Sequence, residues 1–501
     1  MPGPSQATDR HRAESPGRRR GRSAAEYGAY CNAGQVRCAT ERVIVVDAVH
    51  DVFGERALDA AKTVRLDDPK DANMGPLASS SMSSLWHPFA SMGAVAGNEF
   101  VVDRGEGVWV YDTDGNRYLD ATASLWYCQV GHGRAAIVDA IATQARRLDA
   151  YHTFGDFSNP PIAELAARIA RYSPNPASAV FFTSGGSDSV DTAAKMARRY
   201  FQLTGEPERT VLITRDWAYH GMHGFGTSLA GIPGNADGYG DLFPDVIKVP
   251  FDSTDALVTA IEKLGSARIA GLFCEPVIGA GGVRPAPDGY LKHARKIIED
   301  AGALFIADEV ITGFCRTGDW FASNRFSLEP DLITFAKGVT SGYLPMGGVI
   351  AAPRVADPFF ASGGPMFRHG YTYSGHPTVA AAALANLDIL EGEGLAQRAL
   401  QLEAVLVEGL ETLTDHPLVG GHRSGVGFLG AVVLAPDALG ADPDLPAKAS
   451  QAVRRAGLIS RAIGGDALQV SPPLSITDAE FDQLLALMRT GLDQVRVTGN
   501  G

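Results

Sequence analysis

Ala303-Leu304-Phe305-Ile306-Ala307-Asp308-Glu309-Val310 decides how this chain folds, and Phe335-Ala336-Lys337-Gly338 further along repeats its pattern. An apolar run that ends abruptly in a carboxylate reads as a buried parallel strand delivering Asp308 at its carboxyl end, where open α/β sheets place their ligands. Leu332-Ile333-Thr334-Phe335 reads as a second short strand, and Lys337 follows it, ahead of a loop through Gly342, Pro345 and Gly347. Taken singly, such an Asp is equally a helix cap or ion-pair partner, and such a Lys a solvated surface charge. Brought to one crevice by adjacent strand ends, the two suit a cofactor with a basic ring nitrogen and an aldehyde, which is the chemistry of pyridoxal phosphate.

Outward from this pair, apolar runs at 179–183, 211–214, 269–274, 303–307, 332–335 and 348–351 alternate with helical stretches. Strands apolar on both faces, with helices between them, predict an α/β fold around a mostly parallel sheet covered on both sides. Residues 108–120 read as a β-hairpin with an Asp114-Gly115 turn. Beyond about residue 388 a long helix (395–413), short strands such as 427–434 and a final helix from Asp478 describe a smaller α+β domain.

Three more stretches feed the same crevice. Ser184-Gly185-Gly186-Ser187-Asp188-Ser189 lies between a strand and a helix, where glycines and a helix N-terminus suit a phosphate, although Gly and Ser also cap helices without any ligand. Trp217-Ala218-Tyr219-His220-Gly221 offers an aromatic that could stack on a planar ring, or a core tyrosine. Phe273-Cys274-Glu275-Pro276-Val277 ends another strand in a carboxylate, a second acid aimed at the crevice.

The composition narrows the partners. A chain of 501 residues with net charge −13 lacks the basic field that nucleic acid or an anionic membrane would need. Its five cysteines, Cys31, Cys38, Cys128, Cys274 and Cys315, are scattered without metal-site spacing, which points to a reducing cytoplasm and to no metal site. No apolar run approaches the roughly 18 residues of a membrane span, and the Arg18-Arg19-Arg20-Gly21-Arg22 cluster lacks the apolar segment of a secretion signal. Residues 1–26, rich in Pro, Arg, Ser and Gly, are expected to be disordered.

Asn32-Ala33-Gly34-Gln35-Val36-Arg37-Cys38 is followed by a predicted strand at 43–46, a helix at 48–62, Asp67-Asp68-Pro69 and Met74-Gly75-Pro76-Leu77. In that order, residues 27–80 resemble a fragment of an aldehyde dehydrogenase, with 32–38 similar to that family's active-site segment. The family's nucleophilic cysteine falls two residues after the glutamine, where this chain has Arg37. Cys38 is one position late, and a one-residue shift points a side chain elsewhere. The stretch is therefore expected to be a catalytically dead remnant or fusion scar, with the working enzyme beginning near Met82, inside the small polar linker 78–84.

Tyr219-His220-Gly221, Glu275-Pro276-Val277, Asp308-Glu309-Val310-Ile311-Thr312-Gly313-Phe314-Cys315-Arg316-Thr317-Gly318, Lys337-Gly338 and Tyr371-Thr372-Tyr373-Ser374-Gly375-His376-Pro377 follow one another along the chain. In that order and spacing, from about Leu85 to the C-terminus, the chain resembles the class III pyridoxal-phosphate aminotransferases. It implies a fold type I transferase with an N-terminal segment (81–130), a large cofactor domain (131–388) and a small C-terminal domain (389–501). It implies Lys337 as the lysine that joins the cofactor, Asp308 as partner of the ring nitrogen, and Tyr219 and Val310 on the two ring faces. Gly186, Ser187 and His220 fall at the cofactor, Glu275 orders the ring hydroxyl and its surroundings, and Thr372 reaches the phosphate from the neighbouring subunit of a homodimer with shared sites. Ser374-Gly375-His376-Pro377 is similar to the branch acting on ω-amino acids and pyruvate, whose pocket-wall aromatic matches Trp126 and whose mobile arginine matches Arg461.

The chain departs from the family at Gly185, where a serine is usual, at Asp188, usually a glutamate, and at Cys315, commonly a glycine. The activity implied is amino-group transfer from an ω-amino acid or primary amine to pyruvate or another 2-oxo acid. A decarboxylase or racemase of the same fold would keep every cofactor residue, and a non-catalytic scaffold or a bifunctional dehydrogenase fusion are further alternatives. Intact Lys337 and Asp308 speak against the scaffold, and Arg37 against the fusion.

Overall fold

The computed structural model describes residues 84–495. The leader 1–26 and the dehydrogenase-like stretch 27–80, with Arg37, Cys38 and their expected strand and helix, lie outside the described residues. The chain divides into two units, Met1–Val101 and Val102–Gly501. In the described part of the first, a single helical turn, Met92–Val95, is preceded by a backbone N–H of His87 that donates to Met92 Sδ at 3.2 Å.

The second unit is built on a seven-stranded sheet in the order Ala179–Thr183, Gly347–Ala351, Leu332–Phe335, Leu304–Asp308, Ile269–Cys274, Val211–Arg215, Val246–Val249. Gly347–Ala351 runs antiparallel to both neighbours, and the other pairings are parallel. The mostly parallel sheet expected from the apolar runs is thus present, with Val246–Val249 as an added edge strand. Its Val246-Ile247-Lys248-Val249 carries a lysine in a short run, and the pattern was too brief to mark it as a strand.

Strand alternation shows why both faces are apolar. Leu304, Ile306 and Leu332 enter one buried cluster with Val190, Ala193 and Ala197 of the helix Gly186–Leu203, while Phe305, Ala307, Ile333 and Phe335 enter the other. Successive side chains point to opposite faces, so each strand needs a cover on both sides. The same parity carries Asp308 and Thr334 to the face of the Gly186–Leu203 helix.

The hairpin is Trp109–Asp112 with Arg117–Asp120, and its sheet is completed by Val102–Glu106 and, in parallel to Arg117–Asp120, by Leu458–Ile459 near the other end of the chain. A second sheet joins Val419–Arg423, Gly430–Leu434, Ala467–Val470 and Ala462–Ile463. The helix Leu395–Glu411 packs on that sheet, and the final helix begins at Asp478 behind a Thr477/Glu480 capping box. The helix Pro377–Gly392 runs through Asp388.

Candidate active site

A pocket of about 530 Å³, its open mouth included, lies at the carboxyl ends of the parallel strands and is lined by Gly186, Ser187, Tyr219, His220, Glu275, Asp308, Val310 and Lys337. Val190, Gly221 and Ile311 complete the wall. Leu304–Asp308 and Leu332–Phe335 pair so that Asp308 stands beside Thr334, and Lys337 follows two residues past the second strand. Topology therefore brings the acid and the lysine to one crevice.

Asp308 is buried and held from three sides. Thr334 Oγ1 donates to Oδ1 at 3.0 Å, the Val310 N–H donates to Oδ1 at 3.1 Å, and His220 Nδ1 lies 2.6 Å from Oδ2. Together these partners fix the orientation of the carboxylate. His220 Nε2 is buried and has no hydrogen-bond partner among the described residues.

Lys337 has a left-handed backbone (φ 46°), a conformation that costs a non-glycine residue on the order of 1 kcal/mol and marks a site held by its surroundings. Asn386 supplies the hold, donating from Nδ2 to the carbonyls of Gly338 (2.8 Å) and Val339 (3.0 Å). Gly338 is required here because a Cβ would fall 2.2 Å from Gln129 Nε2. Desolvation lowers the Lys337 amine to about pKa 8, with Asp308 and Glu275 opposing the shift and Arg461 adding to it.

Glu275 does not point an idle oxygen at the pocket. Oε1 accepts from the Tyr219 N–H at 2.9 Å and Oε2 from the Gly279 N–H at 3.0 Å, so the carboxylate pins the segment that carries the aromatic. Burial raises its pKa, His220 works against that, and Asp308 adds to it.

The helix Gly186–Leu203 begins at the pocket, and the N–H groups of its first turn have no intrahelical acceptor. Space is the reason for two glycines. A Cβ on Gly186 would sit 2.9 Å from Val310 Cγ1, and one on Gly221, whose φ is +87°, would sit 2.5 Å from Ser187 Oγ. Ser187 Oγ accepts from the Met222 N–H at 3.1 Å and so ties this turn to the Tyr219 segment. Gly185, at the departure from the usual serine, has extended backbone and open space around its Cβ direction. Phe314 and Cys315 both have positive φ (58° and 73°), so Cys315 carries a backbone for which the family's glycine is better suited.

Three expected site residues stand apart from the pocket lining. Trp126 is buried in a turn with positive φ at Ala123, Ser124 and Trp126. The Arg461 guanidinium lies 4.4 Å from the Trp126 ring centroid, and its charge is felt at both Tyr219 and Lys337. Thr372 is exposed on a loop fastened by Ser374 Oγ donating to Phe182 O (2.8 Å) and Tyr371 OH donating to Asp188 O (3.1 Å).

Thr334, Asn386 and Gln129 are supporting residues that the sequence reading did not single out. Thr334 had a signal, a lone hydroxyl in an apolar strand beside the acid-bearing one. Asn386 and Gln129 had none, because their partners come from distant elements.

These residues fit pyridoxal phosphate. The donor set is a fixed carboxylate for a ring nitrogen, an amine for an aldehyde, and a glycine-rich helix start for a phosphate, with Tyr219 and Val310 between them. The aminotransferase class-III family model matches residues 92–492. The aldehyde dehydrogenase family model matches residues 21–119, a longer stretch than 27–80 that overlaps the start of the first. A putrescine–pyruvate aminotransferase of Pseudomonas aeruginosa is 39% identical over 418 residues, 79% of this chain and 90% of the relative. A thermostable (S)-enantioselective omega-transaminase from Thermomicrobium roseum superposes with TM-score 0.78 at 39% identity, covering 81% of this chain and 95% of its own. A PLP-bound amine transaminase from an uncultivated Pseudomonas species gives TM-score 0.76 at 35% identity, covering 83% and 99%. Pocket chemistry, a family match over most of the chain and relatives aligned along nearly their full length agree that this chain belongs to the class III aminotransferases, enzymes dependent on pyridoxal phosphate.

Proposed function

We propose that this aminotransferase takes an amino group from a primary amine or ω-amino acid and delivers it to pyruvate, the two substrates using one pocket in turn. The observation that carries the reading is Arg461, a half-buried guanidinium stacked on Trp126 that forms no ion pair among the described residues. Burial lowers it only to about pKa 10, so it remains cationic at neutral pH and can pair with the carboxylate of a 2-oxo acid. The putrescine–pyruvate relative supports the same pairing of a carboxylate-free amine with a carboxylate acceptor.

Pyridoxal phosphate, when bound, supplies an aldehyde for the substrate's amino group and a ring that accepts the electron pair released at the substrate carbon. Lys337 is the residue that moves the proton at that carbon. An amine of pKa about 8 has an appreciable neutral fraction near neutral pH and is far better matched to that transfer than an ordinary lysine. Asp308, oriented by Thr334, Val310 and His220, would keep a proton on the ring nitrogen of a bound cofactor. Glu275 holds the Tyr219 segment, so that Tyr219 and Val310 would cover the ring, and Gly186 and Ser187 would receive the phosphate.

Thr372 completes the phosphate site of a second copy of the chain, so the working form is a homodimer with shared sites, in the cytoplasm. The exposed position of Thr372 on a fastened loop supports this assignment. Two measurements test the function. Borohydride should fix the cofactor on a peptide containing Lys337, and amine consumption should stall after one equivalent unless pyruvate is added. Sustained turnover without any 2-oxo acid, as a decarboxylase or racemase would give, overturns the reading.

A further inference from the structure

Trp126 and Arg461 come from opposite ends of the chain, and one buried side chain joins them. Arg461 lies where the backbone passes between sheets, since Leu458–Ile459 pairs with Arg117–Asp120 whereas Ala462–Ile463 pairs with Ala467–Val470. The Ala462/Leu468 and Ile463/Ala467 pairs place Arg461 directly opposite Gln469, whose N–H donates to Arg461 O at 3.0 Å. Opposed residues of a hairpin meet on one face, and Arg461 Nε donates to Gln469 Oε1 at 3.2 Å. The other arm of the same amide, Nε2, donates to Thr122 O at 3.2 Å.

Thr122 opens the turn that carries Trp126. Ala123, Ser124 and Trp126 there have φ of 45°, 57° and 61°, and Asp120 holds the turn by accepting from the Thr122 and Ser124 N–H groups at 2.9 and 2.7 Å. Gln469 is completely buried, so either arm left unpaired exposes a costly polar group. Its chemistry is also matched to both neighbours, an acceptor for the guanidinium and a donor for the carbonyl. A carboxylate in its place would capture the guanidinium in an ion pair, and an apolar side chain would leave it undocked. A neutral amide holds Arg461 by a bond that a substrate carboxylate can outcompete.

We infer that Gln469 is a specificity-determining positioning residue, docking Arg461 on Trp126 and thereby setting how readily the guanidinium meets a substrate carboxylate. This rests on the reading of Arg461 as the carboxylate's partner. The test compares holoenzyme of wild type, Gln469→Met, Gln469→Glu and Arg461→Ala in three measurements: calorimetric binding of propionate, KM for pyruvate, and the concentration dependence of the benzylamine half-reaction. Gln469→Met should weaken propionate binding and raise KM for pyruvate by about tenfold or more, the loss of one hydrogen bond to a charged group. Gln469→Glu should do so by a further factor of about ten, because an ion pair replaces an exchangeable bond. The benzylamine dependence should shift by less than a fifth as much in either variant. Should the methionine variant fail to fold, the glutamate variant alone decides, since it keeps an acceptor for Arg461. Equal shifts for propionate and benzylamine, or no shift for either, overturn the dock. Propionate binding unaffected by Arg461→Ala overturns the reading of Arg461 itself, and the dock with it.

Discussion

The cofactor pocket and the Trp126–Arg461 pair that stands apart from its lining are made differently. At the cofactor end, Asp308 is the last residue of its strand, and Glu275 and Lys337 follow the carboxyl ends of the strands on either side. At the proposed carboxylate site, Trp126 follows the N-terminal hairpin, Arg461 and Gln469 belong to the C-terminal one, and the bond from Gln469 to Thr122 spans 347 residues of chain. Strand topology alone assembles the first end, whereas the second exists only after the chain has closed on itself. Damage at the first end should therefore abolish the reaction, and damage at the second should redistribute substrates.

The largest effect is expected at Lys337. Lys337→Ala removes the amine proposed to move the proton, and kcat should fall by about 10⁴-fold. Added methylamine should recover a small part of the rate if the loss is of a base and not of the fold. Asp308→Asn should come next, lowering kcat by about 10²- to 10³-fold as the negative charge proposed to face the cofactor's ring nitrogen is lost. Cofactor stoichiometry measured after gel filtration should change far less, because the phosphate cradle at Gly186 and Ser187 is untouched. Parallel losses of cofactor and rate would place Asp308 in binding, not in chemistry.

This contrast also explains what the sequence disclosed. The strands at 179–183, 269–274 and 332–335 were legible to the residue because a short apolar run bounded by polar or small residues has one reading in a sheet covered on both faces. Asp308 and Lys337 were legible for the same reason, as abrupt polar residues after such runs. Thr334 could be inferred only once the register with Asp308 was known. Gln469 was out of reach although its partner Arg461 was found, since two-residue strands such as Ala462–Ile463 give too little alternation to announce a hairpin. The aldehyde-dehydrogenase resemblance shows the converse, a clear motif whose decisive position holds Arg37.

At the carboxylate end, Arg461→Ala should raise KM for pyruvate by about 30-fold and leave the half-reaction of a carboxylate-free amine within about threefold, consistent with loss of one charge-assisted pair. Steady-state kinetics with pyruvate against single-turnover spectra with benzylamine make the comparison. Equal penalties on both would merge the two ends into one machine and remove the distinction drawn above.

The smallest effect concerns stability and returns to the cofactor end. Lys337 titrates near 8 in the folded protein against 10.5 for a free lysine, chiefly because burial disfavours its charge. Below about pH 8 the amine is protonated in both folded and unfolded chains, so the cost of burying the charge is fully present. Between about 8 and 10.5 the unfolded chain binds the extra proton, and stability rises with pH until both forms are neutral. Lys337→Met, similar in length and without charge, should therefore stabilise the cofactor-stripped protein at pH 7 by on the order of 2 kcal/mol, the shift being discounted for the partial opening of the side chain to the pocket. The gain should shrink as melting is repeated from pH 8 upward and vanish near 10.5. A gain that does not change with pH would assign the effect to the left-handed backbone at residue 337 and not to the buried charge. A variant less stable than wild type at pH 7 would mean that Asp308 and Glu275 favour the ammonium more strongly than burial opposes it, in which case Lys337 would not be poised to act as a base.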